Sequence, residues 1–128
     1  MSETNSASKP RILYVEDHLE AYSLVEILLN KYFELIQAES PEQAFVKLNS
    51  EKVDLILLDI ALKEKLDGLK FLTEIKANEK FKHLPVLVLT AYALHGEKEL
   101  FMNEGADDYV AKPFNKLDLV DKINKLIK

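Results

Sequence analysis

Cysteine is absent from the 128 residues. That excludes disulfides and every thiolate metal site. Surplus positive charge is missing too, because the net charge is −5. Nucleic-acid grooves and anionic membrane surfaces recruit extra Lys and Arg, so neither is expected as a partner. No apolar run approaches the roughly 18 residues of a membrane helix, and no secretory apolar segment opens the chain. A cytoplasmic location is expected. Glycine is scarce, and there are only four prolines. Residues 1–9, "MSETNSASK", are small and polar and are expected to form a flexible tail. One domain is expected over 10–128. At 48% apolar residues it has enough material for a real core.

What is present is an alternation of two kinds of segment. "RILYVE" (11–16), "FELIQA" (33–38), "VDLILLD" (53–59), "PVLVLT" (85–90) and "DYVAK" (108–112) read as strands. The middle ones are apolar without alternation, which suits strands buried on both faces. Helices are expected between and after them. The first runs from His18 to Lys31, with Ala21, Leu24, Val25 and Leu28 inward. Ser40, Pro41 and Gln43 form a helix start of capping-box type, and Ala44, Phe45 and Leu48 should face the core. A third helix is expected from Gly68 to Asn78, with Leu69, Leu72 and Ile75 inward. A fourth, over Gly96–Asn103, should stop at Gly105. Asn115 caps a last helix that buries Leu117, Val120, Ile123 and Ile127. Five strand–helix units in succession imply an α/β fold with helices on both faces of a parallel sheet. The flavodoxin-like doubly wound order 2-1-3-4-5 is the natural candidate. Its ligand site lies beyond the carboxyl ends of the strands.

Those ends carry the chemistry. Glu16 and Asp17 close the first strand, Asp59 the third, Thr90 the fourth and Lys112 the fifth. In the expected order the first and third strands are neighbours, so the three acids should converge. Two carboxylates about 4 Å apart repel by about 4 kcal/mol at an effective dielectric near 20. A hard divalent cation such as Mg²⁺ offsets this, since it prefers a few carboxylate oxygens plus water. Lys112 adds one more charge, and Thr90 adds a neutral donor. This set suits phosphoryl handling, with Asp59 as the nucleophile that forms an aspartyl phosphate. Taken singly, each residue has a plainer reading. A strand-end Asp caps helices, and an acidic pair suits a helix start. All of them at successive strand ends of one topology make a poor coincidence.

The motifs "ILYVED", "DLILLDI", "DGLKFL", "PVLVLTA" and "GADDYVAKPF" resemble those of response-regulator receiver domains of two-component signalling, over Lys9–Lys128. The resemblance implies a phosphorylation-activated switch rather than an enzyme. Asp59 would be the phosphoacceptor. Asp17 and Asp59 would hold Mg²⁺ directly, with Mn²⁺ as a substitute. Glu16 would act through water, and the Ala61 carbonyl would complete the protein ligands. Lys112 would pair with the acid and the phosphoryl group, and Lys112-Pro113 would be a cis peptide. Thr90 and Tyr109 would be the switch pair, acting on the face of the fourth helix, fifth strand and fifth helix. The implied donor is a phosphohistidine on a sensor histidine kinase or a histidine phosphotransfer protein. The downstream protein target is left open, as is the choice between a monomer and a phosphorylation-dependent dimer.

There are departures from the family pattern. Glu16 stands where many members have Asp, and "IALKEKLDG" lacks the proline common after the phosphoacceptor. No output segment is expected beyond Lys128. Alternatives are a receiver cut from a hybrid kinase and a pseudo-receiver that only binds. An aspartyl phosphohydrolase would want a second acid where Ala61 stands. A flavin-binding domain would want a Ser/Thr/Gly-rich loop in place of "EDHLEA". His18, His83 and His95 show no chelating spacing and are expected on the surface. Tyr22, Tyr32 and Phe101 are expected to pack, and Tyr14 to pack partly at the sheet surface.

Overall fold

The computed structural model describes residues 9–60, 65–90 and 96–127, with the side chains of residues 65–67 and 97 left aside. The runs rich in β-branched residues and leucine form β1 (Arg11–Val15), β2 (Glu34–Ala38), β3 (Leu55–Ile60), β4 (Val86–Thr90) and β5 (Asp108–Ala111). All four pairings are parallel, in the order β2-β1-β3-β4-β5. This is the doubly wound order that the alternation implies. Between and after the strands run α1 (Leu19–Leu29), α2 (Pro41–Ser50), α3 (Lys65–Ala77), α4 (Glu97–Asn103) and α5 (Lys116–Ile127).

Period-2 alternation splits each strand between two cores. Leu13, Ile56, Leu58 and Val88 face Ala44 and Leu48 of α2, Phe71 and Leu72 of α3, and Phe101 of α4. Ile12, Tyr14, Leu57 and Leu89 face Val25 and Leu29 of α1 and Leu119 and Ile123 of α5. The sheet is thus covered on both sides, which its continuous apolar strands require.

The caps follow from local chemistry. The Ser40 hydroxyl accepts the Gln43 N–H at 3.1 Å, and Gln43 reaches back to the Glu39 N–H rather than to that of Ser40. Asn115 accepts the Asp118 N–H at 2.8 Å. At the end of α4, Ala106 N–H bonds to Phe101 O and Gly105 N–H to Met102 O. Gly105 takes φ +113°, which closes this Schellman motif.

Several expectations need correction. The third strand runs one residue past Asp59, because Ile60 pairs with Thr90. The third helix begins at Lys65 and includes Gly68. A Cβ on Gly68 would lie 2.5 Å from Ile60 Cδ1, so the missing side chain lets α3 close onto β3 rather than starting the helix. In α1 the buried stripe is Tyr22, Val25 and Leu29, and Leu24 is 60% exposed. In α5 it is Leu119 and Ile123, and Leu117 is 73% exposed. Val25 and Ile123 are buried as expected, and Leu28, Val120 and Ile127 pack partly against the same core, so the correction concerns Leu24 and Leu117, whose places on the sheet are taken by Tyr22, Leu29 and Leu119. Tyr32 is partly exposed, with Lys31 and Lys116 near its ring.

Candidate functional site

The strand order brings Glu16 to Asp59, while Asp17 turns to His18 and groups with Glu16 and His18 rather than with Asp59. β1 and β3 are adjacent, with Val15 opposite Leu58, so Glu16 leaves β1 beside Asp59. The Asp59 side chain is only 5% exposed. Its Oδ1 accepts from Lys112 Nζ at 2.5 Å, and its Oδ2 accepts from the Tyr14 hydroxyl at 2.8 Å. Lys112 follows β5, and its backbone N–H bonds to Thr90 O at 2.8 Å. That link ties the lysine to the end of β4. The Lys112-Pro113 peptide is cis, as the resemblance implied.

Glu16 is buried and continues the β1 line by donating its N–H to Ala38 O. Burial pushes its carboxyl up to about 7, and a hydrogen bond with Asp59 acts in the same direction. The His18 N–H and Nδ1, both 2.9 Å from Glu16 Oε2, pull the other way. His18 Nδ1 also lies 2.9 Å from Asp17 Oδ1. The histidine is exposed, as expected, yet its ring joins the acidic pair, which spacing alone did not suggest. Together Glu16, Asp17 and His18 place three potential ligand atoms within 4.8 Å of one another. A cleft of about 460 Å³ opens beside these residues, with Glu16, Asp17, Ser40, Asp59 and Phe71 in its wall.

Tyr14 is the residue that sequence reasoning missed. It is fully buried rather than partly at the sheet surface. Burial, and then the facing Asp59 charge, raise its phenol pKa far above the ordinary value. The available signal was parity. Tyr14 pairs with Leu57, so Asp59, two residues on, shares its face.

Thr90 is buried at the end of β4, one register step beyond Leu89, the partner of Asp59. Tyr109 lies in β5 and is half-buried. Its ring has Lys98 Nζ at 4.8 Å and Lys122 Nζ at 5.0 Å. It therefore sits at the α4–α5 surface, apart from the acids. Ala61 and His95 lie outside the described residues, as do residues 1–8 of the expected tail. His83 is exposed.

Residues 12–124 match the response regulator receiver domain family. The chain belongs to that family. Similar receivers occur in two settings. Hybrid signal transduction histidine kinase D of Dictyostelium discoideum is 30% identical over 126 residues, which is 98% of this chain and 8% of the kinase. Transcriptional regulatory protein CpxR of Klebsiella pneumoniae is 36% identical over 119 residues, which is 92% of this chain and 49% of CpxR. This receiver therefore spans under a tenth of the one relative and about half of the other. The receiver domain of sensor histidine kinase PA1611 from Pseudomonas aeruginosa matches with a TM-score of 0.81 at 30% identity, over 94% of this chain and 98% of that one. That structure has a magnesium ion coordinated in its active site cleft. No helix among the described residues of this receiver is long and apolar enough to cross a membrane.

Proposed function

We propose that this receiver is a phosphorylation-driven switch with Asp59 as the phosphoacceptor. The observation that carries the reading is the Asp59 carboxylate, nearly buried at the end of the central strand, with Lys112 on one oxygen, Glu16 beside it and Asp17 in the wall of the same cleft. Such a carboxylate is a nucleophile held in one place by a cation that also suits a phosphoryl oxygen.

The residues fit a hard divalent cation. Burial first, and then the neighbouring Asp59, raise the Glu16 pKa, and a hard cation would offset the cost of keeping both acids ionised there. Asp17 and Asp59 would hold Mg²⁺, or Mn²⁺ in its place, with Glu16 acting through water. When bound, the ion supplies positive charge to the carboxylates and the phosphoryl oxygens. Its presence in the PA1611 receiver supports this assignment.

The donor would be a phosphohistidine of a sensor kinase or a histidine phosphotransfer protein. An oxygen of Asp59 attacks phosphorus, and the P–N bond breaks with its electron pair going to the imidazole. Lys112 balances the charge of the incoming group. The Thr90 hydroxyl turns to a phosphoryl oxygen, and Tyr109 leaves its place between Lys98 and Lys122. The α4–β5–α5 surface then changes its preference for a protein partner. Exposed Leu19 and Ile27 on α1, which starts beside the site, suit docking of the donor protein. This is a cytoplasmic signalling role, with catalysis limited to the receiver's own phosphorylation state and no nucleic acid as partner. The reading is the same whether the receiver acts alone or within a longer kinase.

Incubation with acetyl phosphate, with and without Mg²⁺, followed by intact mass, tests the proposal. One Mg²⁺-dependent phosphoryl adduct is expected, and none on Asp59→Asn. An unmodified wild type would instead favour a binding-only pseudo-receiver. An equal adduct on the Asn variant would place the acceptor elsewhere.

A further inference from the structure

Tyr14 differs in kind from the other groups at the site. Lys112 is partly exposed and carries its charge on a four-carbon stem with several rotatable bonds. The Tyr14 ring is fully buried and stacked on Tyr22 of α1, with ring centroids 5.6 Å apart and planes at 24°. Parity puts Tyr14 and Asp59 on one face of the sheet, two residues or about 7 Å apart along the strand direction. The phenol spans that gap, and its hydroxyl ends 2.8 Å from Asp59 Oδ2. Each oxygen of the acid therefore has its own donor, one on a long rotatable stem and one on a ring packed in the core.

We propose that the Tyr14 hydroxyl is a tuning donor on the acceptor carboxylate, which favours the unphosphorylated state and sets how much of the receiver carries phosphate. The proposal rests on the reading of Asp59 as phosphoacceptor. A hydrogen bond to an ionised acceptor is roughly twice as strong as one to a neutral acceptor. Phosphorylation makes one Asp59 oxygen an ester oxygen and leaves the other a carbonyl, so the carboxylate charge is lost. Lys112 can follow the charge to the phosphoryl oxygens. The Tyr14 ring is held by the core and cannot.

Its hydrogen bond therefore weakens when phosphate arrives and strengthens when phosphate leaves. In the forward step with acetyl phosphate, an Asp59 oxygen forms the bond to phosphorus and acetate departs with the electron pair. The donor opposes this by holding charge on the nucleophile. In hydrolysis, water oxygen bonds to phosphorus, the P–Oδ bond breaks, its pair returns to Asp59, and the water proton goes to solvent. The donor assists this by stabilising the departing carboxylate.

The test compares wild type, Tyr14→Phe, Tyr14→Leu and Tyr22→Phe, with Asp59→Asn as control. Acetyl phosphate is added at saturating Mg²⁺, and intact mass follows the adduct as it forms and, after donor removal, as it decays. Removing the hydroxyl should raise the ratio of formation rate to decay rate about fivefold in Tyr14→Phe. Tyr14→Leu should move the same way, and Tyr22→Phe should match wild type. A residue that merely packed would slow formation when altered and would not raise the ratio. A ratio at or below wild type in Tyr14→Phe overturns the proposal, as does an equal rise in Tyr22→Phe. A wild type that takes no phosphate, or an adduct that persists in Asp59→Asn, overturns the acceptor assignment itself and this proposal with it.

Discussion

Lys112 Nζ and Asp59 Oδ1 meet at 2.5 Å across 53 positions of sequence, one at the end of β5 and the other at the end of β3. The acid is nearly sealed from water, and the lysine is one-third exposed. Removing the lysine leaves a buried carboxylate with less compensation. Lys112→Ala should lower stability by about 1–3 kcal/mol, below the full cost for a buried pair because one partner still meets water. Urea unfolding in EDTA measures this. Mg²⁺ should recover part of the loss by supplying charge to the same acid. A variant as stable as wild type in EDTA would count against the pair as an organising contact.

Glu16 gives a pH signature to the metal-free protein. Its folded pKa of about 7 lies above its ordinary 4.5, so the folded state holds the proton more tightly than the unfolded chain. The associated stability is fully present below about 4.5 and is lost as pH rises through about 7. Glu16→Gln has no such titration. Between pH 4.5 and 8 in EDTA, the wild-type urea midpoint should fall relative to that of the variant. A constant gap across that range would contradict the burial of Glu16 beside Asp59.

Tyr109 offers an optical readout, because the chain has no tryptophan. Its ring lies between Lys98 and Lys122. If phosphorylation moves it, Tyr109→Trp should change its emission when acetyl phosphate and Mg²⁺ are added. The change should vanish with Asp59→Asn and shrink with Thr90→Ala. Emission indifferent to phosphate on a phosphorylated sample would remove Tyr109 from the switch.

Gly105 makes a prediction about architecture alone. Its φ of +113° is a conformation that L side chains rarely adopt, and a Cβ there would sit 2.9 Å from Lys76 Cγ. Gly105→Ala should cost about 1–2 kcal/mol from the backbone alone, read as a lower urea midpoint. Phosphoryl acceptance by the folded variant should be unchanged, since the site is at the other end of β4.

The sheet order was legible because apolar runs and helix starts alternate without interruption, and the convergence of Glu16 with Asp59 follows from that order. Helix faces were less legible. Leu24 and Leu117 look like core residues by composition, but the helices turn Tyr22 and Leu119 toward the sheet instead. Gly68 read as a helix boundary, although it serves a close approach to Ile60. Tyr14 was missed for a different reason. A tyrosine in an apolar strand reads as bulk, and only the register against β3 reveals what its hydroxyl can reach.

β3 is clasped by a neighbour along each edge, β1 on one side and β4 on the other, and its apolar residues are sealed above and below. A group added at its tip meets an anvil: the strand beneath has nowhere to recoil. If Asp59 takes a phosphoryl group, the response would pass to the helices that flank the sheet, so that a message written at the buried centre would be read at its margins.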